Sequence, residues 1–418
     1  GDAFSALFFD NSGKSDLFMD FFNSLRSASA DNVYTERNNI YPPLGLLIYK
    51  VLGLFIPVEL LTGRRVLLRL NTDAIMLYFL FAFVCLILFY GIFSSYIDSL
   101  RLDGKTSREG KLLTAFMLLS YPSIYCIERG NNFLLSFVCA AFFVFFYRSG
   151  NKVVRELALI SLAVSAGIKL YPALFGLLLL FDKQYKAAVR AVVYGIVTVA
   201  VPAIFFITPA SSAPLAVTAF AASGADSEST GVLAYLFEHL KSFFLYGKMK
   251  LNFSSVSSEN FVYLIDPFDP SAWKAAKVVF FATEAVAAAL LFFTKKRWQR
   301  LFLICYLILN TQSASSSYSL MLLTIPFFAM LFEGKERGVL GKLFKIGFSL
   351  LLIPLPTLWI FWQEELYVLS ILWLGEYNPR FNQIIAVFVF QAMFIELAVC
   401  LTAGAVKSAR RKKRPAAA

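Results

Sequence analysis

Long apolar runs alternate with short polar connections from Asp73 almost to the end of the 418-residue chain. The runs fall at 73–97, 111–127, 131–147, 154–167, 170–181, 187–208, 274–294, 299–310, 319–332, 341–362 and 382–405. Hydrocarbon offers a backbone no partner for its N–H and C=O groups, so such runs are expected to be helices that satisfy their own. A membrane barrel would show alternating strands of about ten residues, a pattern this sequence lacks. Several runs are shorter than the roughly 20 residues a full crossing needs. Short or broken helices are tolerated where they line a cavity, and 154–181, interrupted at Gly167-Ile168-Lys169-Leu170-Tyr171-Pro172, is the clearest case. The reading is an all-α polytopic membrane protein with about 11–12 transmembrane helices. That number includes a leading helix expected before Gly1, because the opening GDAFSALFFD reads as the end of something.

Composition agrees: 58% of residues are hydrophobic and 16% charged, against about a quarter charged in soluble domains. The formal charge of +12 invites a nucleic-acid reading. However, the basic residues cluster in short loops between apolar runs, which is the footprint of membrane topology, and no nucleic-acid partner is expected. The tail KSARRKKR (407–414) is therefore assigned to the cytoplasm. Counting back span by span brings EGKERG (333–338), KKRWQR (295–300), DKQYK (182–186), RSGNKVVR (148–155) and RLDGKTSREGK (101–111) to the same side. The opposite face receives 1–72, ERGNN (128–132), the Lys169–Pro172 break, 209–273, NTQSASSSYS (310–319) and 363–381. TGRRVLLR (62–69) is the one basic stretch on the wrong side. Tyr41–Leu61 contains Lys50 and Pro57, is weakly amphipathic and would upset this count if it crossed, so it reads as an interfacial or re-entrant helix. Four segments result: an outer-face segment 1–72, a transmembrane core 73–208, an outer lid 209–273, and C-terminal helices with the basic tail, 274–414.

Candidate chemistry gathers on the outer face. Asp10, Asp16 and Asp20 lie within eleven residues, and on a helix Asp16 and Asp20 share one face. Such carboxylates deprotonate a hydroxyl or hold a divalent ion; equally, they cap a surface helix. Arg129 has the fork geometry that grips phosphate oxygens, or it anchors a helix end at the interface. Lys169 interrupts an apolar stretch, where a lysine is costly and faces a cavity or partner unless it snorkels. NTQSASSSYS supplies hydroxyls and amides suited to a sugar or phosphate. Glu284 and Glu396 are intramembrane acids with no role assigned. The five cysteines lack CxxC spacing and read as packing residues. The only histidine, His239, excludes a His-rich metal site, and no metal is expected.

In order, the Asp-rich segment, Tyr34, YPPL (41–44), RGNN (129–132), KLYP (169–172) and SSSYSLMLLTIP (315–326) resemble glycosyltransferase family 87 over roughly residues 10–330. The resemblance implies a C-type glycosyltransferase fold and an inverting transfer of mannose or a similar sugar. The donor would be a polyprenyl-phosphate-linked sugar, and the acceptor a hydroxyl of a lipid or glycan. An outer-face Asp would be the general base; Asp16 and Asp20 both fit the spacing, with Asp10 behind them. By the same resemblance Arg129 and Lys169 would hold the donor phosphate, with a hydrogen bond from Tyr171. Tyr41, Asn131, Asn132, Ser316 and Tyr318 would line the sugar or acceptor. Relatives often carry a histidine in the serine-rich loop where this chain has Ser316, Ser317 and Tyr318. No cofactor is implied, and the expected location is the inner (plasma) membrane with the site on the periplasmic or extracellular side. The rival readings are a lipid-linked glycan polymerase or ligase, and a secondary transporter, which should show paired repeats that this sequence lacks.

Overall fold

The computed structural model describes residues 17–30, 33, 41–62, 68, 70–206, 270–311, 317–334, 338–352 and 381–412. Among them every regular element is a helix. They divide into two compact units. The first holds α1 (Met19–Ala28), α2 (Pro43–Gly53), α3 (Val58–Thr62), α4 (Thr72–Ser99), α5 (Gly104–Leu118), α6 (Tyr121–Arg129), α7 (Phe133–Phe146), α8 (Lys152–Ile168), a 3-10 stretch at Tyr171–Gly176, α9 (Leu177–Phe181) and α10 (Tyr185–Ile204), with Ser120–Pro122 excepted. The second holds α11 (Pro270–Phe293), α12 (Arg297–Thr311), a 3-10 stretch at Ser317–Leu323, α13 (Thr324–Phe328), a π-helical turn at Ala329–Gly334, α14 (Val339–Leu352) and α15 (Phe381–Lys412).

Five helices are long and apolar enough to cross a membrane by length and composition: Thr72–Ser99, Gly104–Arg129, Tyr185–Ile204, Ala275–Phe293 and Ala386–Ala405. Met76, Phe79, Leu80 and Phe83 of α4 stand exposed, as do Val189, Val193 and Ile196 of α10. Water would penalise those faces; acyl chains match them. The chain is thus a multi-pass α-helical membrane protein.

The interior of the first unit is built around α7, whose Phe133, Phe137, Phe143 and Phe145 are buried. Phe89 and Phe93 of α4 meet Phe137 and Phe145 at ring-centroid distances of 5.1 and 4.9 Å, and Tyr96 stacks on Phe145 at 3.9 Å. On the other side α7 and α8 form a tight hairpin. Each of Ser136 and Ser165 donates its hydroxyl to the other's carbonyl, at 3.0 and 2.7 Å. Small residues let the backbones approach, and in hydrocarbon the hydroxyls gain by bonding across the interface. At the turn of the hairpin Arg148 donates twice to Asp182, from Nε and Nη2 at 2.5 Å each, and Tyr147 adds its phenol at 2.7 Å.

The break expected at Lys169 is present. α8 ends at Ile168, Lys169 is extended (φ −139, ψ 124), and the chain resumes as a 3-10 helix opening on Tyr171-Pro172. Proline suits the first turn, where its missing N–H has no partner to lose. Tyr41–Leu61 forms two short helices, α2 opening on Pro42-Pro43 and α3 following Pro57. At 11 residues α2 is about 16 Å long, well short of a crossing.

The basic connections are shorter than the sequence suggests. Arg108 and Lys111 lie within α5, Lys152 and Arg155 within α8, and Arg300 within α12. Asp103 and Asn151 cap the first two, accepting from the Thr106 and Val153 N–H groups at 2.9 Å each. The basic tail is likewise helical as far as Lys412.

Candidate active site

The site is assembled at the end of the α7–α8 hairpin opposite the Arg148 turn. α6 ends there on Arg129, and the next three residues make a tight connection into α7. Gly130 adopts φ +68 and donates to the Ile127 carbonyl at 3.0 Å, while Asn131 N–H reaches back to Cys126 O at 3.1 Å. These are the two bonds of a Schellman cap, which needs a residue comfortable at positive φ. The position also has no room for a side chain, since a Cβ would lie 2.9 Å from Phe21 Cβ and 3.0 Å from Phe18 Cα. Asn131 then opens α7, its Oδ1 accepting the Phe133 N–H at 2.9 Å. That orients the amide and leaves Nδ2 as a donor toward the site.

Asp20 receives it. The α1 helix begins beside the cap, with Phe18 N–H donating to Glu128 O at 2.7 Å and Phe18 itself held at φ 55. Phe18 packs on Tyr78 with ring centroids 4.6 Å apart, and the Tyr78 hydroxyl donates to Ile127 O. An αL phenylalanine costs roughly 1–2 kcal/mol, sustained here by packing on both sides. The result is that Asp20, in the first turn of α1, presents its carboxylate to Arg129 and Asn131. Arg129 Nη2 donates to Oδ1 at 3.2 Å and Asn131 Nδ2 to Oδ2 at 2.7 Å. Each oxygen keeps a lone pair for a further partner.

Tyr41 and Lys169 complete the cluster. Asn131 Nδ2 also reaches the Tyr41 hydroxyl at 3.4 Å. The Tyr41 phenol is pushed above its ordinary range, by burial first and by the Asp20 charge second. It is therefore neutral at working pH and keeps its proton for donation. Lys169 Nζ sits over the Tyr41 ring, 4.1 Å from its centroid, a cation–π contact strengthened by desolvation. Among the described residues that ammonium makes no hydrogen bond, and Asp20 is its anionic neighbour. Asn132 is fully buried against α2, and neither amide atom has a hydrogen-bond partner among the described residues. Its Nδ2 lies 3.3 Å from where a Gly45 Cβ would stand, beside the Ile168 carbonyl that precedes Lys169.

Of the residues singled out by sequence, Asp20, Tyr41, Arg129, Asn131 and Lys169 come together, with Asn132 adjoining. Tyr171 stands next along the chain, its ring 5.9 Å from that of Phe133. Asp10, Asp16 and Ser316 lie outside the described residues, and Tyr318 is a buried residue of the second unit. Sequence reasoning overlooked Gly130, Phe18 and Tyr78, which carry no charge but set the cluster's shape. Only Gly130 left a signal, as a glycine directly after a helix that ends in arginine.

A half-buried carboxylate held by an arginine and an amide, with a second cation beside it, defines a polar, charged cluster inside a multi-pass helical membrane protein. A model of glycosyltransferase family 87 matches residues 39–316, well over half of the chain. The chain belongs to glycosyltransferase family 87. No curated protein and no solved structure matches it. The matched span contains Tyr41, Arg129, Asn131, Asn132, Lys169 and Tyr171, and it begins after Asp20.

Proposed function

We propose that this membrane glycosyltransferase moves a sugar, mannose or a similar hexose or pentose, from a polyprenyl-phosphate carrier to a hydroxyl of a lipid or glycan acceptor. The observation that carries the reading is the cluster itself: one carboxylate fixed by Arg129 and Asn131, and the Lys169 ammonium over the ring of Tyr41, whose hydroxyl meets the same Asn131 amide. In the proposed reaction Asp20 accepts the acceptor's hydroxyl proton as its oxygen bonds to the anomeric carbon. The bond from that carbon to the phosphate oxygen breaks on the opposite face, and the electron pair leaves with the phosphate. Configuration at the carbon inverts, as in any single displacement. Lys169 and Arg129 offset the charge growing on the leaving phosphate, an effect worth most in a site shielded from water. Tyr41, neutral and hydrogen-bonded, and Asn132 are suited to orienting hydroxyls of the sugar or acceptor. The lipid carrier accounts for cations at membrane depth, which a soluble nucleotide-sugar donor would not require. Sidedness follows from the charge count: the basic Arg148 turn faces the cytoplasm, so the cluster at the hairpin's other end opens to the outer side of the inner (plasma) membrane.

The test is transfer from a synthetic polyprenyl-phosphate mannose by the purified protein in lipid nanodiscs. Asp20→Asn is expected to cut the rate by about 10²–10⁴, the range for loss of a general base, with the affinity for donor little changed. Asp16→Asn is expected to stay near wild type. The converse result, an active Asp20→Asn and a dead Asp16→Asn, would transfer the base to Asp16 and reduce Asp20 to an anchor for Arg129.

A further inference from the structure

The end of the α7–α8 hairpin away from the candidate active site carries cations in excess of the acids beside them. The Arg148–Asp182 bridge ties the α7–α8 turn to the turn that opens α10. A turn further along, Arg190 of α10 pairs with Glu156 of α8 at 3.1 Å, and Tyr194 donates to the same carboxylate. Both acids of these two turns and helix starts are thereby engaged. Lys152 and Arg155 at the start of α8, and Lys183 and Lys186 around the start of α10, are left over. Among the described residues their side chains have no ion-pair or hydrogen-bond partner. Lys183 is held in an unusual backbone conformation. α9 closes on it with the same two bonds that close α6 on Gly130: Lys183 N–H reaches Leu180 O at 3.0 Å, and Gln184 N–H reaches Leu179 O at 2.7 Å. The residue at that point of the cap takes positive φ, 57 for Lys183, where glycine is the easier occupant.

We infer that this end of the first unit binds the headgroup of an anionic phospholipid, with Lys152, Arg155, Lys183 and Lys186 around its phosphate. Two observations commit the patch to that occupant. First, the charge is uncompensated: Asp182 and Glu156 already answer Arg148 and Arg190, so the anion that balances the remaining four comes from outside the chain. Second, the cations stand directly above apolar surface. Val153 and Leu157 on α8 and Val189 on α10 are exposed within a turn or two of them. Acyl chains below a phosphate cover such side chains, whereas a soluble acidic partner leaves them in contact with water or lipid of another molecule. Tyr185, also exposed, places an amphipathic ring at the same level, where tyrosine is favoured at a headgroup boundary. The site is separate from the Asp20–Lys169 cluster, and the inference stands whatever the sugar donor is.

The experiment takes the full chain from nanodiscs of equal phosphatidylglycerol and phosphatidylcholine and counts the lipids that stay bound by native mass spectrometry. The wild type is expected to retain phosphatidylglycerol in preference to phosphatidylcholine. Replacing Lys152, Arg155, Lys183 and Lys186 together by glutamine should abolish the preference. Exchanging lysine and arginine at the same positions, which keeps every charge, should preserve it. Lys183→Gly separates binding from folding. Phosphatidylglycerol affinity is expected to fall about fivefold, the size of one basic residue at an anionic surface, while the melting temperature stays at or above the wild-type value because glycine suits the cap. Equal retention of the two lipids by the wild type, or an undiminished preference in the fourfold glutamine variant, overturns the inference. So does an equal loss from Arg108→Gln on α5, which would make the effect one of net charge. A poly-glutamate peptide that binds the protein in pure phosphatidylcholine nanodiscs, and is lost with the same four substitutions while phosphatidylglycerol is not retained, would assign the patch to an acidic protein instead.

Discussion

Asn132 is a costly residue where it stands. A buried amide with no hydrogen-bond partner gives up about 1–3 kcal/mol of desolvation, and both ends of this one lie sealed between α2, α7 and the end of α8. A leucine would fill nearly the same volume without that penalty. If the amide exists to meet a substrate hydroxyl, function and stability should move apart. Asn132→Leu is expected to melt at the wild-type temperature or above it while kcat/KM falls at least tenfold, the size of one lost hydrogen bond to substrate. A parallel fall in both quantities would mark Asn132 as structural. The neighbouring Gly130 shows the opposite logic. It contributes no chemistry, yet the cap it permits is what turns Asn131 toward Asp20.

At the scale of elements, the parts of the fold written in local pattern were legible in the sequence. Where the structure describes them, each of the eleven apolar runs has a helical counterpart. The Lys169 break was visible because a charge and a proline interrupt an apolar run within four residues. Helix starts were less legible: basic residues read as loops proved to be helical, Lys152 and Arg155 just after the Asn151 cap and Arg108 and Lys111 further into the helix that Asp103 caps. The pairing of Asp20 with Asn131 spans 111 positions and depends on a glycine cap, so no local pattern announces it. A second pairing of this kind lies in the other unit. Asn310 of α12 donates to Glu284 of α11 at 2.6 Å. A polar bond between membrane helices is worth roughly 1 kcal/mol, and a glutamine preserves the acceptor. Glu284→Gln is therefore expected to keep the wild-type melting temperature in detergent, and Glu284→Leu to lower it. If Leu equalled Gln, the bond would contribute nothing to helix association.

At the scale of the molecule, charge and length point the same way. α7 and α8 span 14 and 17 residues, about 21 and 25 Å, against a hydrocarbon core near 30 Å. In the proposed orientation, with the Arg148 turn at the cytoplasmic surface, the Asp20–Lys169 cluster would lie several ångströms below the outer one, within reach of a lipid phosphate. The orientation itself can be read without any activity. Ser149→Cys, at the basic turn, is expected to resist a membrane-impermeant maleimide in intact cells and to react after permeabilisation. Ser29→Cys, just past the end of α1 on the cluster's side, should react in intact cells. A reporter active only in the cytoplasm should be active when fused after Ala418. Labelling at Ser149 in intact cells, with a silent C-terminal reporter, would invert the topology. The cluster would then face the cytoplasm, where the charge rule gives no reason for a recessed site fed by a lipid carrier rather than by soluble sugar donors.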